Sequence, residues 1–391
     1  MTEVRGTVAA GYEAVREEFA AVLAAEGVEL DAQVAAYHHG ELVVDLWAGP
    51  ETGSDSLLGI YSASKGLAHL VVARLVQDGV LDLDQRVSHY WPEFAVLGKR
   101  EIRLRELLSH QAGLVGADAG FTVEELADDR VVAERLGAQR PYWRPATASG
   151  YHALVIAALS GEVVWRATGE TVQSRYAQLL REPYGLDLHL GLPESQDHRF
   201  RPVQPMVGTP ERLRELAAAA TAPDSVGGLA FNRHHPGHPE VWELPNRPVV
   251  RRRGPASFGG VGTARDLAKA YAAAIGPVGG RAPLLTPDTA AVFGQIQSDG
   301  WDLVLRRRKA WAVGFHAAAE TYPGLGQGAF GHSGAGGQQA LADPRSGLSY
   351  AFLRRRFLTP PQADADHDRL LRALRTAALA GSGPERVRAV G

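Results

Sequence analysis

An extended apolar segment turns directly into a helix between Gly59 and Leu70, with a serine at the turn. Ser62 and Lys65 are three residues apart, so a helix places the hydroxyl and the amine on one face, within reach of each other. A serine hydroxyl is a poor nucleophile until a base takes its proton, and a lysine whose pKa is lowered by burial can be that base. The N-terminal end of the helix favours a neutral amine and anionic intermediates. The rest of the chain has to support this turn.

A second interpretation of the same stretch is an ordinary helix that begins at a capping serine and continues with a solvated lysine. The composition weighs against it, because the 41 lysines and arginines include only four lysines, at 65, 99, 269 and 309. Arginine carries nearly all of the routine surface charge, and it cannot act as a base because it stays protonated in proteins. On this stretch alone both interpretations remain open.

The composition is that of a soluble globular protein that can form two lobes, with 391 residues, 45% of them hydrophobic and 22% charged. The net charge of -3 argues against nucleic acid and against an anionic membrane as partners. The chain has no cysteine, which excludes disulfides, a thiol nucleophile and a thiolate metal site.

Residues 1–27 place glutamates among alanines and valines with the periodicity of an amphipathic helix. They lack the basic start and the unbroken apolar core of a signal peptide. No other run is long and apolar enough to span a bilayer. We therefore expect a first helix here and a cytoplasmic protein without a membrane partner.

Strand patterns lie towards both ends of the chain. Residues 33–37 and 42–47 flank a glycine-containing turn and predict a β-hairpin. Further strands are predicted at 310–318, 338–342 and 348–353, followed by a closing helix at 366–379.

The middle of the chain has mostly helical patterns, including a strong amphipathic helix at 153–168 that ends at Gly169. We therefore predict an α+β fold, with an antiparallel sheet built from both chain ends, flanked by helices, and an inserted all-helical lobe. The predicted domains are 1–75 with 255–391 for the α/β part and 76–254 for the helical part. The active site should lie in the groove between them.

Residues 223–255 combine several prolines and glycines with His234, His235 and His238. Clustered histidines can bind a metal, but proline and glycine among them favour an irregular loop, here one that borders the cleft. His38 and His39 have no third ligand at suitable spacing and are typical of a polar turn. We predict neither a metal nor a cofactor.

Two further motifs carry possible chemistry. Tyr151 follows a glycine at the start of the 153–168 helix, where its phenol could project into a cleft and pass a proton. The glycine-rich stretch 330–337 could bring backbone N–H groups close to a ligand, and one of them could form an oxyanion hole with the Ser62 amide. Taken alone, the first motif is an ordinary half-buried aromatic and the second a flexible turn.

The order and spacing of the three motifs, with Leu107-Leu108-Ser109-His110-Gln111-Ala112-Gly113-Leu114 between the first two, closely resemble the class C β-lactamase-like serine hydrolases. That group includes the family VIII carboxylesterases, D-alanyl-D-alanine carboxypeptidases and several acyltransferases. The resemblance covers roughly residues 34–353 and implies a β-lactamase/transpeptidase-like fold.

Roles follow from this resemblance by position. It implies that Ser62 is the acylated nucleophile, Lys65 its base and Tyr151 the acid/base partner. It also implies that the substrate site is lined by four consecutive residues, His332, Ser333, Gly334 and Ala335. The backbone N–H groups of Ser62 and Ala335 would be the oxyanion donors.

The chain departs from the β-lactamase pattern at two positions. Ala153 stands two residues after the tyrosine, where β-lactamases have asparagine, and His332 stands where they usually have lysine. The second change removes a permanent cation that would bind a β-lactam carboxylate. Both changes favour the esterase branch, so we predict an acyl-enzyme hydrolase of carboxylic esters with a small-molecule ester or activated acyl compound as substrate.

Three alternatives remain open from sequence. A transacylase or peptide cyclase would use the same residues and pass the acyl group to an amine or an alcohol. β-Lactam hydrolysis could be a slow side activity. A non-catalytic binding protein on this scaffold is disfavoured by the intact Ser62, Lys65 and Tyr151 set. The acyl chain, the acceptor and the oligomeric state are not determined by these patterns.

Overall fold

The computed structural model describes residues 3–26, 30–358 and 362–381. Its strands come from both ends of the chain and from short segments near the nucleophile turn. They are β1 (Val4–Val8), β2 (Ala32–His38), β3 (Glu41–Ala48), β4 (Leu58–Gly59), β5 (Leu188–His189), β6 (Val261–Gly262), β7 (Ser298–Asp302), β8 (Arg307–Trp311), β9 (His316–Ala317), β10 (Phe330–Ser333), β11 (Gln339–Asp343) and β12 (Leu348–Arg354).

Nine of these strands form one antiparallel sheet in the order β1-β3-β2-β12-β11-β10-β9-β8-β7. The first and last thirds of the chain meet where β2 pairs with β12. The predicted hairpin is confirmed as β2 and β3, joined through His39 and Gly40, which both have positive φ. The three remaining strands form a small sheet in the order β4-β6-β5.

The prediction of helix from the first residue is wrong for residues 4–8, which form strand β1. This strand pairs antiparallel with β3, from Val4 opposite Ala48 to Val8 opposite Val44. Its residues alternate between partly buried and exposed, the period of a strand with one solvated face. The helix begins only at Glu13, and residues 1, 2 and 27 lie outside the described residues.

The α-helices occupy the middle of the chain and both faces of the large sheet. They are α1 (Glu13–Ala25), α2 (Ala63–Gln77), α3 (Val87–Tyr90), α4 (Leu104–Leu108), α5 (Val123–Leu126), α6 (Asp129–Ala138), α7 (Ile156–Thr168), α8 (Val172–Tyr176), α9 (Glu182–Tyr184), α10 (Pro210–Ala219), α11 (Val226–Ala230), α12 (Pro248–Arg253), α13 (Ala264–Ile275), α14 (Pro287–Gly294), α15 (Ala318–Thr321) and α16 (Gln362–Gly381). Short 3-10 helices span Pro92–Ala95, Glu194–Arg199 and Val241–Asn246, and a π-helical turn spans Ala177–Arg181.

Helices cover both faces of the large sheet. Helix α13 packs across β2, β12 and β11 on one face, while α1 and α16 pack together on the other. Thr263 followed three residues later by Asp266 is the sequence pattern of a capping box that opens a helix. The Thr263 hydroxyl does cap α13, because it accepts from the Asp266 amide at 3.1 Å. The predicted α+β fold, an antiparallel sheet flanked by helices, is confirmed. The division into 1–75, 76–254 and 255–391 stays a prediction.

The segment 223–255, predicted to be irregular, contains regular structure. It forms α11, the 3-10 helix Val241–Asn246 and α12, each one or two turns long. Pro248 is the first residue of α12, and Gly254 ends this helix with a φ of 58°. Pro245 lies inside the 3-10 helix. Helix α7 likewise begins at Ile156, three residues later than predicted, and ends at Gly169 with a φ of 78°.

The predicted strand at 310–318 is two shorter strands. Strand β8 ends at Trp311, the chain turns at Gly314 with a φ of 77°, and β9 follows. None of the helices in the described part of the chain combines the length and the apolarity needed to cross a bilayer.

The nucleophile helix α2 packs against α13 through a close contact that requires a glycine. A Cβ atom at Gly66 would lie 2.0 Å from the Tyr271 hydroxyl oxygen. Tyr271 is fully buried, and its hydroxyl has no hydrogen-bond partner among the described residues. The absence of a side chain at position 66 therefore sets the distance between the two helices.

We predict that Gly66→Ala lowers the free energy of unfolding by about 2 kcal/mol, because the new methyl group forces the helices apart. Tyr271→Phe should be neutral or stabilising, since it removes a buried hydroxyl that lacks a partner. Combining the two changes should recover most of the loss. Urea unfolding of the three variants measures this coupling, and equal losses for Gly66→Ala with and without Tyr271→Phe would contradict it.

Candidate active site

Ser62 lies at a sharp turn between β4 and α2. The residue before it, Tyr61, has a φ of 47°, a backbone region that bulky residues rarely occupy. Ser64 closes the turn, because its hydroxyl donates to the Tyr61 carbonyl at 2.5 Å and accepts from the Gly260 amide at 2.9 Å. Ser62 keeps 9% of its surface exposed. The predicted nucleophile therefore stands at a helix start, at the edge of the protein interior.

Lys65 lies one turn further along α2 and is fully buried. Its Nζ lies 3.0 Å from Ser62 Oγ, 2.5 Å from the Ala153 carbonyl oxygen and 2.7 Å from the Ser257 carbonyl oxygen. Carbonyl oxygens only accept hydrogen bonds, so each takes one amine hydrogen. A neutral amine has two hydrogens and one lone pair, and the lone pair then faces the Ser62 hydroxyl.

The surroundings of Lys65 favour this neutral form. Burial lowers the pKa of Lys65 well below its ordinary value, because the ammonium form loses its hydration there. The negative charge of Asp129 acts in the opposite direction and raises that pKa. The structure therefore supplies both the geometry and the electrostatics of a base beside a serine.

Tyr151 completes the group on the opposite wall. Its ring lies 5.0 Å from Lys65 Nζ and stacks on the Trp311 indole, with ring centroids 5.2 Å apart and an angle of 12° between the planes. Burial raises the pKa of Tyr151 above its ordinary value, and a hydrogen bond with Ser62 opposes that shift. The phenol is therefore protonated at neutral pH and can donate a proton towards the nucleophile.

Asp302, which the sequence analysis missed, holds Tyr151 in place. One oxygen of its fully buried carboxylate accepts from the backbone amides of Tyr151 at 3.2 Å, Val304 at 2.9 Å and Leu305 at 2.8 Å. The other oxygen accepts from Trp311 Nε1 at 3.0 Å. A single carboxylate thus fixes both the tyrosine and the indole on which it stacks. No local pattern marks Asp302, since it lies 151 residues from Tyr151.

Two histidines fix the loop that carries Tyr151. The His152 amide donates to His110 Nδ1 at 3.1 Å, and the Gly150 amide donates to the His110 carbonyl at 3.0 Å. The His152 ring donates from Nδ1 to the Gly150 carbonyl at 2.7 Å and accepts at Nε2 from the Leu114 amide at 3.0 Å. The stretch 107–114, which belongs to the sequence resemblance and lies between the first two motifs, therefore supports the loop that carries the tyrosine.

The turn after β10 packs against the nucleophile segment. A Cβ atom at Gly334 would lie 2.8 Å from the Ile60 carbonyl oxygen, so only glycine permits this approach. The turn is held by Gln338, whose backbone carbonyl accepts from the Gly334 amide at 2.8 Å. Among the described residues, no acceptor hydrogen-bonds to the backbone N–H of Ser62 or Ala335. Both amides are therefore free to donate to a ligand oxygen.

His332 and Ser333 end strand β10 beside this turn. The His332 Nδ1 lies 2.8 Å from the Ser333 carbonyl and must donate to it, which leaves Nε2 as an acceptor. Burial lowers the pKa of His332 well below its ordinary value, so the ring is neutral. The His332 Nε2 is buried without a partner among the described residues, and its ring centroid lies 4.1 Å from that of His316. The predicted substrate-lining histidine therefore carries no charge.

The histidine-rich segment after α11 contacts neighbouring backbone rather than forming a cluster. His234 Nε2 donates to the Ala117 carbonyl at 2.9 Å, and His238 Nδ1 donates to the His235 carbonyl at 3.0 Å. In residues 3–26, 30–358 and 362–381, no three His, Asp or Glu side chains are grouped so as to hold a metal ion. Phe231 of the same segment has its ring centroid 6.5 Å from that of Tyr151, so the segment reaches the candidate site.

We predict that Asp302→Ala lowers the free energy of unfolding by about 3 kcal/mol, because it leaves several buried N–H donors without an acceptor. The same change should slow acylation of Ser62, since Tyr151 loses its support. Asp302→Asn keeps an acceptor oxygen and should have a smaller effect on both quantities. Thermal unfolding and a Ser62 acylation assay measure these effects.

Asp299→Ala is the matched control for Asp302. Asp299 lies on the same strand, three residues earlier, and its carboxylate pairs with the exposed Arg308. We expect this variant to unfold and react like the wild type. An Asp302→Ala variant that behaves like Asp299→Ala would contradict the role assigned to Asp302.

The chain matches the model of the family described as Beta-lactamase over residues 17–375. It is 30% identical over 338 residues to the esterase/beta-lactamase LipL of Mycobacterium tuberculosis, which covers 84% of this chain and 77% of that protein. Among solved structures, EstA from Arthrobacter nitroguajacolicus is similar with a TM-score of 0.88 and 35% identity, covering 98% of this chain and 100% of that chain. A family VIII carboxylesterase is similar with a TM-score of 0.84 and 31% identity, covering 96% and 100%.

These similarities extend over the strands from both chain ends and over the helices between them. The chain belongs to the beta-lactamase family.

Proposed function

We propose that this protein is a serine hydrolase that cleaves carboxylic esters through an acyl-enzyme, with Ser62 as nucleophile, Lys65 as its base and Tyr151 as proton donor. One observation carries the proposal, namely that the buried Lys65 amine lies 3.0 Å from the Ser62 hydroxyl oxygen and donates to two carbonyl oxygens. In this arrangement, a neutral Lys65 amine can take the proton of the Ser62 hydroxyl and so make its oxygen nucleophilic.

Acylation begins when the Ser62 hydroxyl transfers its proton to the Lys65 nitrogen while the oxygen attacks the ester carbonyl carbon. The carbonyl π-bond opens and its electron pair moves to the oxygen, which becomes an oxyanion. The free amides of Ser62 and Ala335 are suited to bind that oxyanion. The positive end of helix α2 adds to the same stabilisation.

Loss of the alcohol completes the acyl-enzyme. The electron pair of the oxyanion re-forms the carbonyl π-bond, the bond to the leaving oxygen breaks with its electrons on that oxygen, and the Tyr151 phenol gives it a proton. The Lys65 ammonium then returns the proton to the tyrosinate, which restores the neutral amine and the phenol. Lys65 Nζ lies 3.0 Å from Ser62 Oγ, and the Tyr151 phenol hydrogen-bonds to Ser62, so Ser62 connects the two groups of this relay.

Deacylation repeats the sequence with water as nucleophile. A water molecule gives its proton to the tyrosine–lysine pair as its oxygen attacks the acyl carbon, and Ser62 leaves with a returned proton. The products are a carboxylic acid and the free enzyme. Relatives described as an esterase and as a family VIII carboxylesterase support an ester as the substrate class.

The neutral His332 supports an uncharged acyl group. A permanent cation at this position would bind a carboxylate, whereas an imidazole that accepts at Nε2 would repel one. We therefore rank simple esters above β-lactams as substrates. A small-molecule ester or activated acyl substrate, the absence of nucleic-acid and membrane partners, and a cytoplasmic location stay predictions.

We predict that Ser62→Ala abolishes ester hydrolysis and labelling by a fluorophosphonate probe. Lys65→Arg should lower kcat/KM at least about 1000-fold, because arginine keeps a charge but cannot accept a proton. Initial rates with a p-nitrophenyl ester and mass spectrometry of the labelled protein measure both effects.

Lys269→Arg is the matched control, since Lys269 lies on α13 and donates to the Tyr184 carbonyl, outside the site. It should keep wild-type rates. Substantial activity in Lys65→Arg would rule out the amine as base, and an unlabelled Ser62 in the wild-type protein would rule out the acyl-enzyme.

We also predict that a short p-nitrophenyl ester is turned over at least about tenfold more efficiently than a chromogenic cephalosporin, because the site lacks a fixed cation for the drug carboxylate. Steady-state kcat/KM for the two substrates tests this. Faster turnover of the cephalosporin would contradict the ranking of the substrates.

Product analysis with added amines or alcohols shows whether water is the acyl acceptor. Acyl transfer to an added amine or alcohol that exceeds hydrolysis would contradict the proposed hydrolase.

A further inference from the structure

Asp129 is the first residue of α6, and the mechanism above assigns it no step. Its Oδ2 accepts from the Ala256 amide at 2.9 Å and from Gln173 Nε2 at 2.7 Å. The Gln173 amide also donates to the Gly254 carbonyl at 3.2 Å, so two groups tie Asp129 to the segment that follows α12. The carboxylate therefore anchors the chain at residues 254–256.

This segment forms one wall of the Lys65 pocket. Ser257, the residue after the anchored Ala256 amide, accepts from Lys65 Nζ through its carbonyl at 2.7 Å. Its hydroxyl accepts from the Ala157 amide in α7 at 2.9 Å. A short path thus runs from the Asp129 carboxylate through a single dipeptide to the amine. Movement at the anchor would move the carbonyl that orients Lys65.

Charge adds a second link between the same groups. Asp129 is the carboxylate whose charge raises the pKa of Lys65 against the effect of burial. Burial raises the pKa of Asp129 itself to about 6, so its charge is present above that pH. Asp128 contributes to that rise through its own negative charge.

The other titratable groups that face Lys65 are neutral. They are Tyr151, whose pKa is raised, and three imidazoles whose pKa values are lowered, all mainly by burial. The imidazoles are His69, His110 and His332. Asp129 is therefore the charged group through which a single substitution can alter the electrostatics of the amine.

We propose that Asp129 is a positioning residue for Lys65 and holds the Ser257 carbonyl against the amine. Its negative charge is a second influence on the same amine, which a different substitution can separate. The inference rests on the proposed role of Lys65 as the base for Ser62. Asp129 would act on Lys65 in two ways, as an anchor for the chain and as a charge, and two substitutions distinguish them. Asp129→Ala removes both the anchor and the charge, whereas Asp129→Asn keeps an oxygen for the Ala256 amide and removes only the charge.

The test follows the burst of p-nitrophenol from an activated ester as a function of pH, together with KM and thermal unfolding. Asp129→Ala should slow acylation about 10- to 100-fold, because loss of the anchor misplaces the Lys65 amine. KM should change little, because Asp129 does not line the proposed substrate site. Asp129→Asn should lose less activity and shift the acid limb of the profile to lower pH. The limb moves to lower pH because removing a negative charge lowers the pKa of Lys65, so that the amine stays neutral at lower pH.

Glu134→Gln is the control. It removes a negative charge from the same helix, and Glu134 is exposed and does not contact the Ala256 amide. Its acylation rate and acid limb should match the wild type. If Asp129→Ala does not fold, the pH profile of Asp129→Asn decides the question.

Folded Asp129→Ala and Asp129→Asn variants with wild-type acylation rates and an unchanged acid limb would overturn the inference. Failure of the proposed function would look different, because the wild-type protein itself would form no Ser62 adduct or Lys65→Arg would remain active. A normal wild-type burst with an insensitive Asp129 therefore rejects only the positioning role.

Discussion

The structure depends on keeping one primary amine uncharged inside the protein. Lys65 has no exposed surface, and an ammonium ion there would lose its hydration and require three acceptors. The protein offers two obligate acceptors, the carbonyls of Ala153 and Ser257, which come from segments 104 residues apart. The third neighbour, Ser62 Oγ, can then donate its own hydrogen to the lone pair. Burial and the number of hydrogen-bond acceptors around Lys65 therefore both favour the neutral amine.

The histidines around the amine extend this constraint. The rings of His110 and His152 lie in the interior, and burial lowers the pKa of each, to about 4 for His152. Neutral rings can still direct hydrogen bonds, as His152 does towards Gly150 and Leu114, without adding a buried positive charge. A histidine at position 332, where the sequence resemblance expects a lysine, fits the same environment. A second ammonium group here would compete with Lys65 for hydrogen-bond acceptors.

The sequence is most informative where function and fold depend on neighbouring residues. The spacing of Ser62 and Lys65, the β2–β3 hairpin and the Thr263 cap are local features and could be predicted. Asp302 and Asp129 could not, because each acts on backbone amides more than 100 residues away. Strand β1 was also missed, since five alternating residues before a strong helical pattern do not specify a strand without their partner β3.

The nucleophile turn shows how the fold accommodates a locally unfavourable backbone. A tyrosine at a φ of 47° costs about 1–3 kcal/mol, so other contacts must hold it there. The Ser64 hydroxyl fixes the Tyr61 carbonyl, and the Tyr61 hydroxyl donates to the Trp242 carbonyl at 2.9 Å. These contacts come from the helix itself and from the 3-10 helix Val241–Asn246. Since that second segment is continuous with α12 and with Ser257, the same stretch of chain maintains the unfavourable backbone of Tyr61 and the orientation of Lys65.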